Sequence, residues 1–261
     1  MPEGHTIHRA AIDHHKVLAG DKLIIQSPQG RFAEGSQHLS GKLCTAVEAF
    51  GKHLVYRFEA GDSLHIHLGL FGKIRKHKLP LKEPRGAVRV RLISGTHVID
   101  INGPSICEVL NIEEFTKLTA RIGPDVLRPD ANPDLAFKKI AKSKSTIGSL
   151  IMDQSVMAGI GNIYRTEILW RQAVHPETLG NNIDRQTFDR IWNDAKDLLT
   201  LGVKHNAIIT KRGAGRFKSK CREDFNIFAK ETCPDCKGEI SRFEINGRRA
   251  FVCEHCQPSP F

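Results

Sequence analysis

Met152-Asp153-Gln154, followed by Gly159-Ile160-Gly161-Asn162-Ile163-Tyr164-Arg165 and then Glu167-Ile168-Leu169, is the stretch on which the fold turns. The glycines permit a tight turn between two apolar stretches that read as helices, Ser149 to Val156 and Ile163 to Gln172. Asn162 stands where it can cap the second helix. Backbone amides and a side-chain amide gathered at a helix start also form an anion site, so capping and anion binding are both open to it. The surroundings are helical too. Asn132-Pro133 is an N-cap and N1 pair for a helix running to Lys142, and Asp184 to Leu201 places Phe188, Ile191, Trp192, Ala195, Leu198 and Leu199 on one face.

Toward the N-terminus the period changes. Thr6 to Leu18 has Ile7, Ala10, Ala11, His14 and Leu18 at helical spacing, with Gly20 to end the helix. From Lys22 to about Leu110 short β-rich runs follow: Leu23 to Ile25, Leu43 to Phe50, His53 to Phe58, Leu64 to Leu68, Ala87 to Ile93 and His97 to Ile101. Alternating apolar and basic residues from Ala87 to Leu92 predict a strand with one buried face. These runs predict a β-sandwich-like domain with a leading helix, followed by a short helix from Glu113 to Ala120 and a Pro- and Gly-containing linker, Gly123 to Pro133. The expected division is 1–122, a linker at 123–133, a helical domain at 134–222 and a terminal hairpin at 223–261, an α+β chain.

The hairpin is read from cysteines. Cys233 and Cys236, then Cys253 and Cys256, form two CxxC pairs sixteen residues apart, the spacing of a four-thiolate zinc ribbon. Asn246-Gly247 supplies the turn that brings the pairs together. Four thiolates leave no position for water, so one structural Zn2+ is expected, although His255 could replace a cysteine. Such a hairpin presents Arg248 and Arg249 near its tip, where a guanidinium can grip a phosphate, Arg248 being the stronger choice. Cys44, Cys107 and Cys221 are scattered, and an odd total of seven argues against a disulfide framework.

Charge points to the partner. Across 261 residues, 39 Lys and Arg against 29 Asp and Glu give a formal charge of +10, which favours a polyanion, nucleic acid before an acidic membrane surface. Val203 to Arg222 carries seven Lys and Arg and no acidic residue, with Gly213 and Gly215 inside it; it reads as a mobile basic loop, either a solvated face or a nucleic-acid contact. No apolar run approaches the roughly 18 residues of a membrane span, and no signal core follows the N-terminus, so a cytoplasmic, nucleoid-associated monomer is expected. At that N-terminus, Met1-Pro2-Glu3-Gly4, loss of Met1 would expose a proline amine able to form an iminium with an aldehydic carbon. Glu3 beside it could shuttle protons.

Together, Met1-Pro2-Glu3-Gly4, the Gly51-Lys52-His53-Leu54 turn, His67-Leu68-Gly69-Leu70-Phe71-Gly72, the stretch from Asp153-Gln154 to Glu167 and the terminal cysteines resemble the formamidopyrimidine-DNA glycosylase and endonuclease VIII family over nearly the whole chain. The resemblance implies an N-terminal β-sandwich, a helix-two-turn-helix domain with a zinc hairpin, and damaged DNA, duplex, bubble or single-stranded, as the partner. It implies a bifunctional glycosylase and abasic-site lyase with Pro2 as nucleophile and Glu3 as general acid/base. Lys52, His67, Asn162 and Arg248 would hold phosphates. Leu70 and Phe71 would fill the gap left by the everted base, or else pack at a strand end. Glu167 matches a family glutamate near the active site, or else forms a helix-surface ion pair. Two departures, Gly148 where the formamidopyrimidine branch carries lysine and Asp100 to Cys107 where it carries an Arg-Phe wedge, favour the endonuclease VIII side and oxidised pyrimidines. The alternatives are an 8-oxopurine glycosylase and a non-catalytic zinc-ribbon DNA-binding protein.

Overall fold

The structure, a computed structural model, describes residues 2–211 and 225–260. The chain divides into two compact units, Met1–Glu3 with Ile7–Arg121 and Gly4–Thr6 with Ile122–Phe261. Met1, whose removal the N-terminal chemistry needs, and most of the basic 203–222 stretch lie outside the described residues.

In the first unit, helix α1 (Gly4–Leu18) buries Ile7, Ala10, Ala11, His14 and Leu18, the stripe expected of it. Strands β1 (Ile24–Gln26), β2 (Cys44–Phe50), β3 (His53–Phe58), β4 (Ser63–His67), β5 (Lys73–Lys78), β6 (Val88–Ile93), β7 (His97–Asn102) and β8 (Ile106–Leu110) form two antiparallel four-stranded sheets, ordered β1-β6-β7-β5 and β2-β3-β4-β8. A short helix, α2 (Ala33–Leu39), precedes β2, and α3 (Ile112–Arg121) follows β8. Leu54, Tyr56, Leu64 and Ile66 from one sheet meet Val90, Leu92, Ile99 and Ile101 from the other in one core. Each such side chain contributes about 1.5–3 kcal/mol of burial free energy, so the sandwich follows from the period-two runs. Three elements have no such signal. Strand β5 reads Lys73-Ile74-Arg75-Lys76-His77-Lys78 and is held by backbone pairing to β7, while β8 and α2 were not expected.

One expectation on β6 needs correction. Arg91 does not face solvent with the other basic residues of its strand. It is 2% exposed and pairs with Asp100, directly opposite on β7, through Nε to Oδ1 at 2.6 Å and Nη2 to Oδ2 at 2.9 Å, while Nη1 donates to the Lys82 carbonyl. A charged residue can occupy a buried position when its partner and its remaining donors are satisfied.

The second unit contains α4 (Pro133–Ile140), α5 (Ile147–Leu150), α6 (Asn162–Arg171) and α7 (Arg185–His205), then the hairpin β9 (Ser241–Ile245) and β10 (Arg248–Val252). Asn132 caps α4 by accepting from Asp134 N, and Asp184 caps α7 by accepting from Thr187 N at 2.7 Å. Asn246 and Gly247 both have positive φ, 49° and 68°, as a two-residue hairpin turn of the primed type requires. The helix expected to run to Val156 stops at Leu150. Asp153 Oδ1 accepts from Ser155 N at 2.8 Å, an Asx turn that competes with helical pairing. Gln154 then closes the loop, donating to the Met152 and Ile160 carbonyls and accepting from Gly159 N.

Candidate active site

Pro2 is half-buried and Glu3 has no exposed surface, at the leading end of α1. Gly4 must be glycine: its N–H donates to the Gly159 carbonyl at 2.8 Å, and a Cβ would stand 2.7 Å from Gly159 Cα. The N-terminal motif and the glycine turn that decides the fold thus touch at Gly4 and Gly159.

Lys52 lies in the two-residue turn between β2 and β3, after Gly51 at φ 60°. Past the end of β4, the loop carries Leu70 at 55% and Phe71 at 85% exposure, so neither is packed at a strand end. That loop is tight: Gly72 N donates to the Leu68 carbonyl, and a Cβ on Gly72 would meet that oxygen at 2.3 Å. The connection from β7 to β8 is only residues 103–105. It reads Gly103-Pro104-Ser105, without an arginine or an aromatic residue, and Ser105 Oγ lies 3.0 Å from both His67 Nδ1 and the His67 carbonyl.

His67 belongs to a histidine cluster. His53 is its cross-strand partner, with ring centroids 5.0 Å apart. His53 Nδ1 is 2.8 Å from His65 Nε2, and His65 Nδ1 is 2.9 Å from Glu108 Oε1. Burial lowers all three histidines and neighbouring positive charge adds to it, while Glu108 opposes the shift at His65; His53 falls to about 3.

In the second unit Asn162 is the first residue of α6, and Gly161, without a side-chain cap, precedes it. Asn162 therefore does not cap the helix. Its Nδ2 donates to the Arg249 carbonyl at 3.0 Å, and its Oδ1 accepts from Arg165 Nη2, which also donates to the Arg249 carbonyl at 3.0 Å. Arg165 is 2% exposed, a guanidinium buried to hold the hairpin backbone beside Arg248, which opens β10. Nothing in the sequence separates it from a surface arginine.

Glu167 does not sit on the helix surface, which sets aside the ion-pair reading offered for it. It has no exposed surface and forms no helix-surface ion pair. Its Oε2 accepts from Thr210 Oγ1, Asn226 N and Asn226 Nδ2, and its Oε1 from Ile227 N and Phe228 N, all at 2.6–2.9 Å. Its carboxylate fastens the 226–228 backbone to α6.

Cys233, Cys236, Cys253 and Cys256 place their four Sγ atoms within 4.8 Å of one another, with 233–256 at 3.8 Å and 236–253 at 3.4 Å. A tetrahedron with metal–sulfur bonds of about 2.3 Å has sulfur–sulfur edges of about 3.8 Å, so the donor set fits a thiolate-bound metal. Cys233 and Cys253 also join Trp170, Ile227, Ile240 and Phe251 in a small apolar core.

With this geometry in hand, comparison with known proteins is decisive. Residues 1–102 match the formamidopyrimidine-DNA glycosylase N-terminal domain, and residues 122–213 match the H2TH domain of the same enzymes. Endonuclease 8 1 of Mycobacterium tuberculosis is 39% identical over 98% of this chain and 100% of its own length. The chain belongs to the formamidopyrimidine-DNA glycosylase and endonuclease 8 family. It is therefore an enzyme of DNA repair. Formamidopyrimidine-DNA glycosylase of Thermomicrobium roseum is 29% identical, covering 82% of this chain and 81% of its own. The structure of the Lactococcus lactis glycosylase, solved with DNA containing an N7-benzyl-Fapy-dG, superposes with a TM-score of 0.83 at 23% identity over 99% of this chain and 100% of that one, a likeness of fold. No helix among the described residues is long and apolar enough to cross a membrane.

Proposed function

We propose that this family member is a bifunctional DNA glycosylase and abasic-site lyase that excises oxidised bases, pyrimidines in preference. The observation that carries the reading is Glu3, a carboxyl side chain with no exposed surface beside Pro2; an acidic residue is rarely buried so fully unless it has work or a partner there. After loss of Met1, the Pro2 nitrogen attacks C1′ of an everted nucleotide. The C1′–base bond breaks, and Glu3 passes a proton to the ring oxygen as the sugar opens to an iminium. The iminium acidifies the C2′ protons. Loss of one forms a C2′–C3′ double bond as the C3′–O bond breaks and the 3′ phosphate leaves; a second elimination releases the 5′ phosphate.

Lys52, His67, Asn162 and Arg248 are the phosphate ligands in this reading, and the exposed Leu70 and Phe71 enter the space left by the base. Exposed apolar side chains of this size are costly unless something covers them. Cys233, Cys236, Cys253 and Cys256 would hold one Zn2+, which when bound cross-links the base of the hairpin that carries Arg248. The pyrimidine preference is supported by the short 103–105 connection and by Gly148, where a side chain has no room: a Cβ would lie 2.9 Å from the Pro176 carbonyl oxygen.

Borohydride trapping on an abasic-site oligonucleotide, followed by peptide mapping, tests the chemistry. An adduct at residue 2, absent in Pro2→Gly, is expected. DNA binding with no adduct, despite an intact N-terminal proline, would leave a non-catalytic binding protein. Preference for an 8-oxoguanine:cytosine duplex over a thymine glycol duplex would overturn the pyrimidine assignment.

A further inference from the structure

The histidine cluster of the first unit has a fixed hydrogen-bond polarity. A carboxylate only accepts, so His65 Nδ1 carries the proton that meets Glu108 Oε1 at 2.9 Å. A neutral His65 then has a bare Nε2, which must accept from His53 Nδ1 at 2.8 Å. His53 in turn is left with a bare Nε2. His67 is set the other way. Its Nδ1 accepts from the Gly69 backbone N–H at 3.2 Å, a group that can only donate, so its proton sits on Nε2 and the Ser105 hydroxyl, 3.0 Å from Nδ1, can meet that nitrogen only as a donor. Two imidazoles with centroids 5.0 Å apart thus have opposite character, His67 a donor and His53 an acceptor.

A donor beside Lys52 suits a phosphate oxygen. The bare nitrogen of His53, whose ring centroid is 5.0 Å from that of His67, does not, because its lone pair repels the same anion. The conflict disappears if His53 takes up a proton. We infer that Glu108, His65 and His53 form a proton-accepting relay behind the His67 phosphate contact, so that docking of a DNA phosphate is coupled to proton uptake at His53 Nε2. This inference rests on the phosphate-binding role proposed above for Lys52 and His67. The proton comes from solvent and bonds to Nε2; the positive charge is shared along His53 Nδ1–H to His65 Nε2 and His65 Nδ1–H to Glu108, whose negative charge balances it. Glu108 and His65 are positioning residues, acting through His53.

The charges around the relay explain why the proton waits for the ligand. Burial chiefly disfavours a charge on His53, and His65 and His67 on β4, Arg121 at the end of α3 and Lys52 in the β2–β3 turn add to it. Glu108 is the acidic group hydrogen-bonded to the chain. A phosphate brings the missing negative charge. Its arrival raises the His53 pKa, so affinity rises as pH falls and is lost as pH rises through the value in the complex.

Calorimetric titration of the full chain with a duplex carrying a reduced abasic-site analogue, at pH 6.0 and 7.5 in two buffers of different ionisation enthalpy, counts the protons taken up. The wild type is expected to take up more at pH 6.0 than at 7.5. By linkage, an uptake of about half a proton tightens binding roughly threefold per pH unit. Glu108→Gln, at a half-exposed position, and His53→Gln should each remove most of this uptake, and Glu108→Asp should retain it. Uptake unchanged in both Gln variants, with binding intact, overturns the relay. A wild type that binds the analogue no better than undamaged duplex instead overturns the proposed function, so the two failures are separable.

Discussion

Replacing Glu167 by glutamine changes one atom, and the structure makes it a severe change. Every hydrogen-bond partner of the carboxylate among the described residues is a donor: Thr210 Oγ1, Asn226 N and Nδ2 on Oε2, Ile227 N and Phe228 N on Oε1. A glutamine must turn its NH2 toward one of these sets. The less costly choice sets it against Ile227 N and Phe228 N, losing two hydrogen bonds to a charged acceptor and leaving donors facing donors. At about 1.5–3 kcal/mol for each charged bond the gross loss is roughly 3–6 kcal/mol. Removing a buried charge returns part of its desolvation cost, so we expect a net destabilisation near 3 kcal/mol. Both tryptophans, Trp170 and Trp192, lie in the second unit, so urea unfolding followed by tryptophan fluorescence reads the unit that contains Glu167. Native-state hydrogen exchange at the Ile227 and Phe228 amides should accelerate in step. A loss below about 1 kcal/mol, with those amides still protected, would refute the account of Glu167 as the fastener of this backbone.

Gly148→Ala should destabilise by about 1–3 kcal/mol despite alanine's better helix propensity, because its Cβ would press on the Pro176 carbonyl and Ile245 Cδ1; a thermal midpoint at or above wild type would show that the position has room. Chelation should shift Trp170 fluorescence to the red and abolish DNA binding, since Trp170 packs on Cys233, Cys253 and Phe251; an unchanged spectrum after verified metal loss would detach the metal from that core. Acid should weaken both units. His14 is lowered to about 3 and His5 to about 4, chiefly by burial, so each contributes stability that is whole above the unfolded value near 6.5 and is lost as pH falls, about 2 kcal/mol apiece by pH 5. Urea midpoints at pH 7.5 and 5.0 measure this, and His14→Asn should flatten the slope of the first unit.

What could be read from the sequence was whatever rests on local chemistry. The CxxC pairs and Asn246-Gly247 specify a hairpin because thiolate spacing and positive φ are properties of a few adjacent residues. The sandwich runs and the stripes on α1 and α7 follow from burial period. Strand β5 carried no such signal, since four of its six residues are Lys or Arg and backbone pairing to β7 holds it. The relay was half legible: His65 and His67, two apart in a strand, must share a face. That Glu108 lies opposite His65 depends on the β4–β8 pairing, a long-range contact between segments whose separate patterns do not name each other.

Asn162, Arg165 and Glu167 show how side chains of one motif are committed to the protein's own backbone. All three lie within six residues at the start of α6. Two of them are spent on the protein itself: Arg165 on the Arg249 carbonyl, Glu167 on the amides at 226–228. Asn162 spends one amide hydrogen on the same carbonyl, and its NH2 retains a second. In the proposed function, that second hydrogen is the one offered to a phosphate. Because Asn162 and Arg165 both grip the carbonyl of residue 249, the backbone beside Arg248 is fixed by side chains of α6 before any ligand arrives. The placement of the hairpin arginine therefore depends on the hydrogen bonds that Arg165 and Asn162 make to its neighbour's carbonyl, which is the support a positioned guanidinium requires.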